Sequence, residues 1–145
     1  MADPSPQELA HASAEAMRAA DAVARELAIA VEQVRPGFAR TGMRVAEPML
    51  NGHGVCHGGY LFLLADTAFA YACNTYGEVT LAAAADIVFV DSARLDDDLV
   101  AEARERTRFG RNGIYDVSVR RRGDDAVIAE FRGHSRATGA RFGRG

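Results

Sequence analysis

Residues 51–74 read NGHGVCHGGYLFLLADTAFAYACN, a loop crowded with glycine and histidine that runs directly into an apolar segment carrying one acid, Asp66. From Tyr60 onward Leu61, Leu64, Ala65, Ala68, Phe69 and Ala72 recur at steps of three and four, and no Gly or Pro intervenes before Gly77. That spacing predicts a helix buried over most of its surface. Its amino end falls at Gly58-Gly59, where backbone N–H groups lack intrahelical partners and the helix dipole adds positive charge, so an anion or a developing oxyanion is favoured there. A lone Asp in such a helix can lie on a narrow exposed stripe or cap a neighbouring loop. Leu63, Leu64, Ala65, Ala68 and Phe69 leave little polar face for it, and burial of an unpartnered carboxylate is costly enough that it marks a candidate site.

Working outward, helix spacing also runs through Leu9, Ala12, Ala16, Ala20, Val23 and Leu27, with Ser5 and Glu8 in capping-box positions. This predicts an N-terminal helix over residues 7–27, preceded by a disordered lead over 1–6. A strand over 28–34 and its partner over 39–45 flank Arg35-Pro36-Gly37-Phe38, which has Pro and Gly where a type II turn wants them. Residues 47–59 read as loop. After the central helix, β-like segments follow over 79–90, 99–109, 113–122 and 126–136, separated by Asp96-Asp97-Asp98, Gly110-Arg111-Asn112-Gly113 and Gly123-Asp124-Asp125. Ile114, Asp116 and Ser118 alternate with Tyr115, Val117 and Val119, one wet face against one buried face. The outline is a single α+β domain over residues 1–145, an antiparallel sheet wrapped around a long central helix. One helix cannot protect the edges of so large a sheet, so subunits are expected to pair.

The 145 residues suffice for one domain with a real core, and 48% hydrophobic with 26% charged residues is ordinary for a globular protein. No apolar run is long enough to span a bilayer and the polar, acidic start is unlike a signal peptide, so a cytoplasmic protein without membrane association is expected. Cys56 and Cys73 are too few for a disulfide framework. The net charge of −3 argues against nucleic acid as a partner. All 17 basic residues are Arg: residues 1–103 carry 6 against 15 acids, or −9, and residues 104–145 carry 11 against 5, or +6. The basic C-terminal region suits a phosphate-bearing ligand, since Arg offers several donors to phosphate oxygens; the alternative is plain solvent-exposed Arg on strands.

The central stretch resembles the signature of the hotdog-fold acyl-CoA thioesterases, most closely the phenylacetate-degradation group. The pattern of an Asn, a His-Gly-Gly six residues later and Leu-Ala-Asp on the helix is met by Asn51, by His57-Gly58-Gly59 and by Leu64-Ala65-Asp66, with further agreement in GIYDV (113–117) and FRGHS (131–135). The resemblance implies hydrolysis of acyl-CoA, aryl-acetyl or hydroxyphenylacetyl-CoA in particular. It also implies no cofactor beyond the coenzyme A of the substrate, and a homodimer or dimer of dimers (a homotetramer). By resemblance Asp66 is the catalytic carboxylate, Gly58 the N–H that polarises the thioester carbonyl, Asn51 an amide near that carbonyl and His57 the histidine that shapes the site. Gly59, Arg108, Arg111, Asn112, Arg132 and His134 are candidates for holding substrate and coenzyme A phosphates.

The chemistry agrees with those roles. Thioester hydrolysis needs a donor aimed at the oxygen that becomes an oxyanion, and a base or nucleophile for the carbonyl carbon; an Asp, ordinarily ionised above about pH 3.9, supplies the second. Gly58 and Asp66 lie 66 − 58 = 8 residues apart, about 12 Å along a helix. One carbonyl cannot touch both, so the donor and the acid are expected from different subunits. Related enzymes carry a hydroxyl at the start of the strand after the helix, where this chain has Ala82-Ala83-Ala84-Ala85, with Thr80 nearest. A module that binds acyl-CoA without turning it over is therefore the second reading. His53, Cys56, His57 and Cys73 match no zinc spacing, so no metal is expected, and a Cys56–His57 dyad is disfavoured because adjacent loop residues point apart.

Overall fold

The computed structural model describes residues 2–143. Helix α1 (Pro6–Ala20) starts at a capping box: Ser5 Oγ accepts from Glu8 N at 3.1 Å and Glu8 Oε2 accepts from Ser5 N at 2.7 Å. The irregular lead therefore ends at Pro4, and Ser5 and Pro6 belong to the helix rather than to a disordered segment. The single helix expected over 7–27 is interrupted. Asp21 leaves helical geometry (φ −85°, ψ 82°), and its carboxylate caps α2 (Ala22–Glu26) through Ala24 N at 3.1 Å while accepting from Tyr71 Oη at 3.1 Å. The buried face of α1 is Ala10, Ser13 and Ala14, not the expected row from Leu9 through Ala12 and Ala16 to Ala20.

Strands β1 (Ala30–Arg35) and β2 (Phe38–Arg44) form the hairpin closed by Pro36-Gly37. A short 3-10 turn (Glu47–Met49) precedes the loop to α3 (Gly58–Cys73). Then come β3 (Glu78–Phe89), β4 (Asp98–Phe109), β5 (Asn112–Arg121) and β6 (Val127–Arg141), the last running five residues past its expected end. All pair antiparallel in one six-stranded sheet of order β1-β2-β4-β5-β6-β3. Helix α3 touches every strand, the arrangement of the hotdog fold.

The packing follows the patterns in the chain. Leu61, Leu64, Ala65, Ala68, Phe69 and Ala72 of α3 are buried against Leu99, Ala101, Ala103, Tyr115, Val117, Val119 and Phe131 on the inner sheet face. Each fully buried Leu or Val contributes about 1.5–3 kcal/mol relative to exposure. Phe69 makes edge-on contact with Tyr115 (ring centroids 5.6 Å apart) and packs on Phe131 at 5.8 Å. Gly133 permits this: a Cβ there would lie 2.2 Å from the Phe69 ring.

The two sheet edges differ. β1 has six residues, includes Glu32, Gln33 and Arg35, carries a register irregularity between Val31 and Gln33, and lies against α1, where Gln7 Nε2 donates to Val34 O at 2.8 Å. β3 has twelve residues, and its stretch from Leu81 to Asp86 is exposed throughout; Leu81 and Val88 are 59% and 60% exposed. A long apolar edge of this kind is a template for another strand. Among the described residues no helix is long and apolar enough to cross a membrane.

Candidate active site

The loop before α3 is clamped by its own polar groups. Asn51 Oδ1 accepts from His53 N (2.9 Å) and Val55 N (3.3 Å), and Asn51 N donates to Val55 O at 2.8 Å. Cys56 N donates to Ala93 O and His57 N to Met49 O, each at 2.7 Å, so the loop is tied to the body of the domain just where the helix begins. With its oxygen committed to the loop, the free capacity of the Asn51 amide is its Nδ2 donor.

His57 is the N-cap of α3, and its Nδ1 accepts from Gly59 N at 3.0 Å. The acceptor nitrogen carries no proton, which leaves Nε2 as the ring's N–H. Tyr60 N donates to His57 O at 3.0 Å. The Gly58 N–H, between these satisfied groups, has no acceptor among the described residues. It is an oriented donor at the positive end of a 16-residue helix. Asn51, His57, Gly58 and Gly59 therefore form one cluster at the start of α3.

Asp66 lies two turns further along, on the side of α3 that faces β3. It is half-buried and has no hydrogen-bond or ion-pair partner among the described residues. Burial pushes its carboxyl above the ordinary value of 3.8. It borders a cavity of about 270 Å³ with Met17, Phe69, Val79, Thr80 and Leu81. Asn74 pins the start of β3 beside this cavity: its Oδ1 accepts from Thr80 N (2.8 Å) and its Nδ2 donates to Thr80 O (2.9 Å). Thr80, the nearest hydroxyl in the sequence, thus lines the same cavity as Asp66, although its Oγ1 donates to Glu78 O at 3.0 Å. The thiols are poor nucleophiles: burial raises Cys56 to about 11 and Cys73 to about 12. Among the described residues no three His, Cys, Asp or Glu converge as a metal site.

The candidate phosphate ligands separate into committed and free groups. Arg132 forms a fork with Asp116 (2.6 and 2.9 Å) on the sheet face away from α3, where His134 also lies, between Ala84 and Ile114. Arg108 pairs with Glu105 at 3.3 Å and stacks 3.6 Å from the Tyr76 ring centre. Arg111, at the β4–β5 hairpin, and Arg136, opposite Asn112 in the register, form no ion pair among the described residues, while Asn112 Nδ2 donates to Phe109 O at 3.5 Å. This hairpin stands by the C-terminal end of α3, so in one chain it is at the far end of the helix from Gly58. Sequence reasoning missed Phe89, whose ring lies against Gly58: a Cβ on Gly58 would be 2.9 Å from Phe89 Cζ. The only available signal was that β3 runs back along α3.

Residues 53–128 match the model of the family described as Thioesterase superfamily. The chain is 42% identical over 127 residues to the acyl-coenzyme A thioesterase PaaI of Escherichia coli, covering 88% of this chain and 90% of that one. The structure of E. coli PaaI, from the phenylacetic acid degradation operon, superposes with a TM-score of 0.91 at 41% identity, covering 94% and 99% of the two chains. A mutant of the phenylacetic acid degradation protein PaaI from Thermus thermophilus superposes at 0.78 with 30% identity, covering 81% and 100%.

Proposed function

Because the chain belongs to the thioesterase superfamily, we propose that it hydrolyses acyl-CoA thioesters, with aryl-acetyl and hydroxyphenylacetyl-CoA as the preferred class. The observation that carries this is the pairing, on one helix, of an open Gly58 N–H with an unpartnered, half-buried Asp66. The Gly58 N–H and Asn51 Nδ2 hold the carbonyl oxygen as it becomes an oxyanion. The Asp66 carboxylate activates water or attacks the carbonyl carbon, and the acyl–sulfur bond breaks to release free acid and coenzyme A. His57 keeps the helix start in shape through Gly59. Arg111 and Arg136 are the Arg side chains without an ion pair that can take coenzyme A phosphates, with Asn112 beside them, whereas Arg108 and Arg132 would first have to leave Glu105 and Asp116. No cofactor takes part, and the cytoplasm is the compartment of the reaction.

The two halves of this machinery, about 12 Å apart on one helix, meet on one carbonyl only across two chains. The open edge of β3 supplies the means: edge-to-edge pairing with a second β3 brings two α3 helices side by side and antiparallel, so that Gly58 of one chain approaches Asp66 of the other. The active unit is a dimer, and the dimer of dimers expected from the resemblance adds a second surface to it.

The test is release of free thiol from phenylacetyl-CoA, hydroxyphenylacetyl-CoA, benzoyl-CoA and straight-chain acyl-CoAs, with mass measured by light scattering. Turnover fastest on the aryl-acetyl thioesters by a dimer or tetramer is expected. Binding without thiol release would instead establish the second reading, an acyl-CoA-binding module, which the missing hydroxyl at Ala82–Ala85 favours.

A further inference from the structure

Phe89 ends β3 on the inner sheet face, opposite buried Ala129, yet is 52% exposed. The strand end is fixed, since Val90 N and Asp91 N both donate to Ile128 O, at 2.8 and 3.2 Å. The edge of the ring points at Gly58: from the position of a Gly58 Cβ, Phe89 Cζ, Cε1 and Cε2 would be 2.9, 3.1 and 3.4 Å away. A ring in that place fills no core, and it occupies the space that any side chain at position 58 would take.

The backbone nitrogen and a Cβ of one residue are only about 2.5 Å apart by covalent geometry. An oxygen accepting from the Gly58 N–H at about 2.9 Å therefore lies no more than about 5.4 Å from that Cβ position, which brings the acyl carbon next to the carbonyl within reach of the ring. We infer that Phe89 is a specificity-determining residue, which admits acyl groups with an unbranched carbon next to the thioester carbonyl and rejects those substituted there. A CH2 in that position passes along the ring edge; an added methyl has to enter the volume that the ring holds. The edge of an aromatic ring is also its positive rim, so it tolerates the negative charge that grows on the neighbouring oxygen.

This inference rests on the thioesterase reading, with the carbonyl oxygen at Gly58. Its test compares phenylacetyl-CoA with 2-phenylpropanoyl-CoA, which differ by one methyl at the critical carbon, in the wild type, Phe89→Ala and Phe89→Leu. Two variants are used so that one remains if the other misfolds, and each is checked for mass. The expected result is a rise of about tenfold or more in kcat/KM for the branched thioester relative to the unbranched one in the variants. A ratio within twofold of the wild type overturns the inference, as does an equal loss on both substrates accompanied by loss of the oligomer. If the wild type releases no thiol from any acyl-CoA, it is the thioesterase reading that fails.

Discussion

In the catalytic role proposed for it, Asp66 combines two demands that conflict. Catalysis by a carboxylate requires the charge, while the apolar cavity beside it opposes the charge and pushes the pKa up from 3.8. The acid limb of the kcat/KM profile for phenylacetyl-CoA should therefore have its midpoint above the ordinary carboxylate value, with the rate falling as pH drops through it. Asp66→Asn should abolish that limb and lower the rate on the order of 10²-fold to 10⁴-fold. The sign for stability is opposite. A carboxyl with a raised folded-state pKa binds more protons folded than unfolded, so stability falls as pH rises from 3.8 through the raised value. Thermal melts should show Asp66→Asn more stable than wild type at pH 7, the difference vanishing in acid. The partial burial of this carboxylate was legible in the sequence because a single charge stood out in an apolar period. Phe89 was not: its contact with Gly58 depends on how far β3 returns along α3, which no local pattern encodes.

Among the elements, α3 and the last four strands were legible because period and turn chemistry agree there. α1 was misphased because alanine is spread around it: Ala10, Ala12, Ala14, Ala16, Ala19 and Ala20 bury little area each, so the apolar face has no contrast. What decided its buried side was packing on β1. The break at Asp21 was equally hidden, since one carboxylate oxygen caps α2 and the other takes the Tyr71 hydroxyl from α3. The contact between α3 and β6 is the least forgiving one in the core. Gly133→Ala places a methyl 2.2 Å from the Phe69 ring, and overpacking of this kind costs about 1–3 kcal/mol. A fall in Tm of roughly 3–10 °C is expected by calorimetry.

For the molecule as a whole, the sequence showed the charge imbalance between its two parts but not its use. Most of the C-terminal Arg side chains answer acids: Arg121 bonds Asp97 and Asp124, Arg122 reaches Glu32 and Asp98, and Arg106 and Arg132 share Asp116. Among the described residues only Arg104, Arg121 and Arg122 reach acids of the first part, Glu102, Asp97, Glu32 and Asp98, so the fold consumes part of the imbalance between the two parts. The composite site proposed across two chains has a quantitative consequence. If inactive Asp66→Asn chains and inactive chains blocked at Gly58 by Gly58→Val are unfolded, mixed equally and refolded, half the dimers are hybrids with one intact site of two. Activity should return to about a quarter of the wild type by random pairing, and no recovery would show that each chain carries a whole site.

The unequal sheet edges bear on how far assembly can go. β1 is short, charged, irregular and covered by α1, while β3 is long, apolar and bare. With the proposed β3–β3 pairing, a sheet with one adhesive edge and one inert edge stops lengthening once two copies have met, and α1 acts as its chain terminator. Removal of residues 1–27 would strip that terminator and leave both sides open, and the expected product, visible by electron microscopy and as rising turbidity, is a ribbon that lengthens with protein concentration.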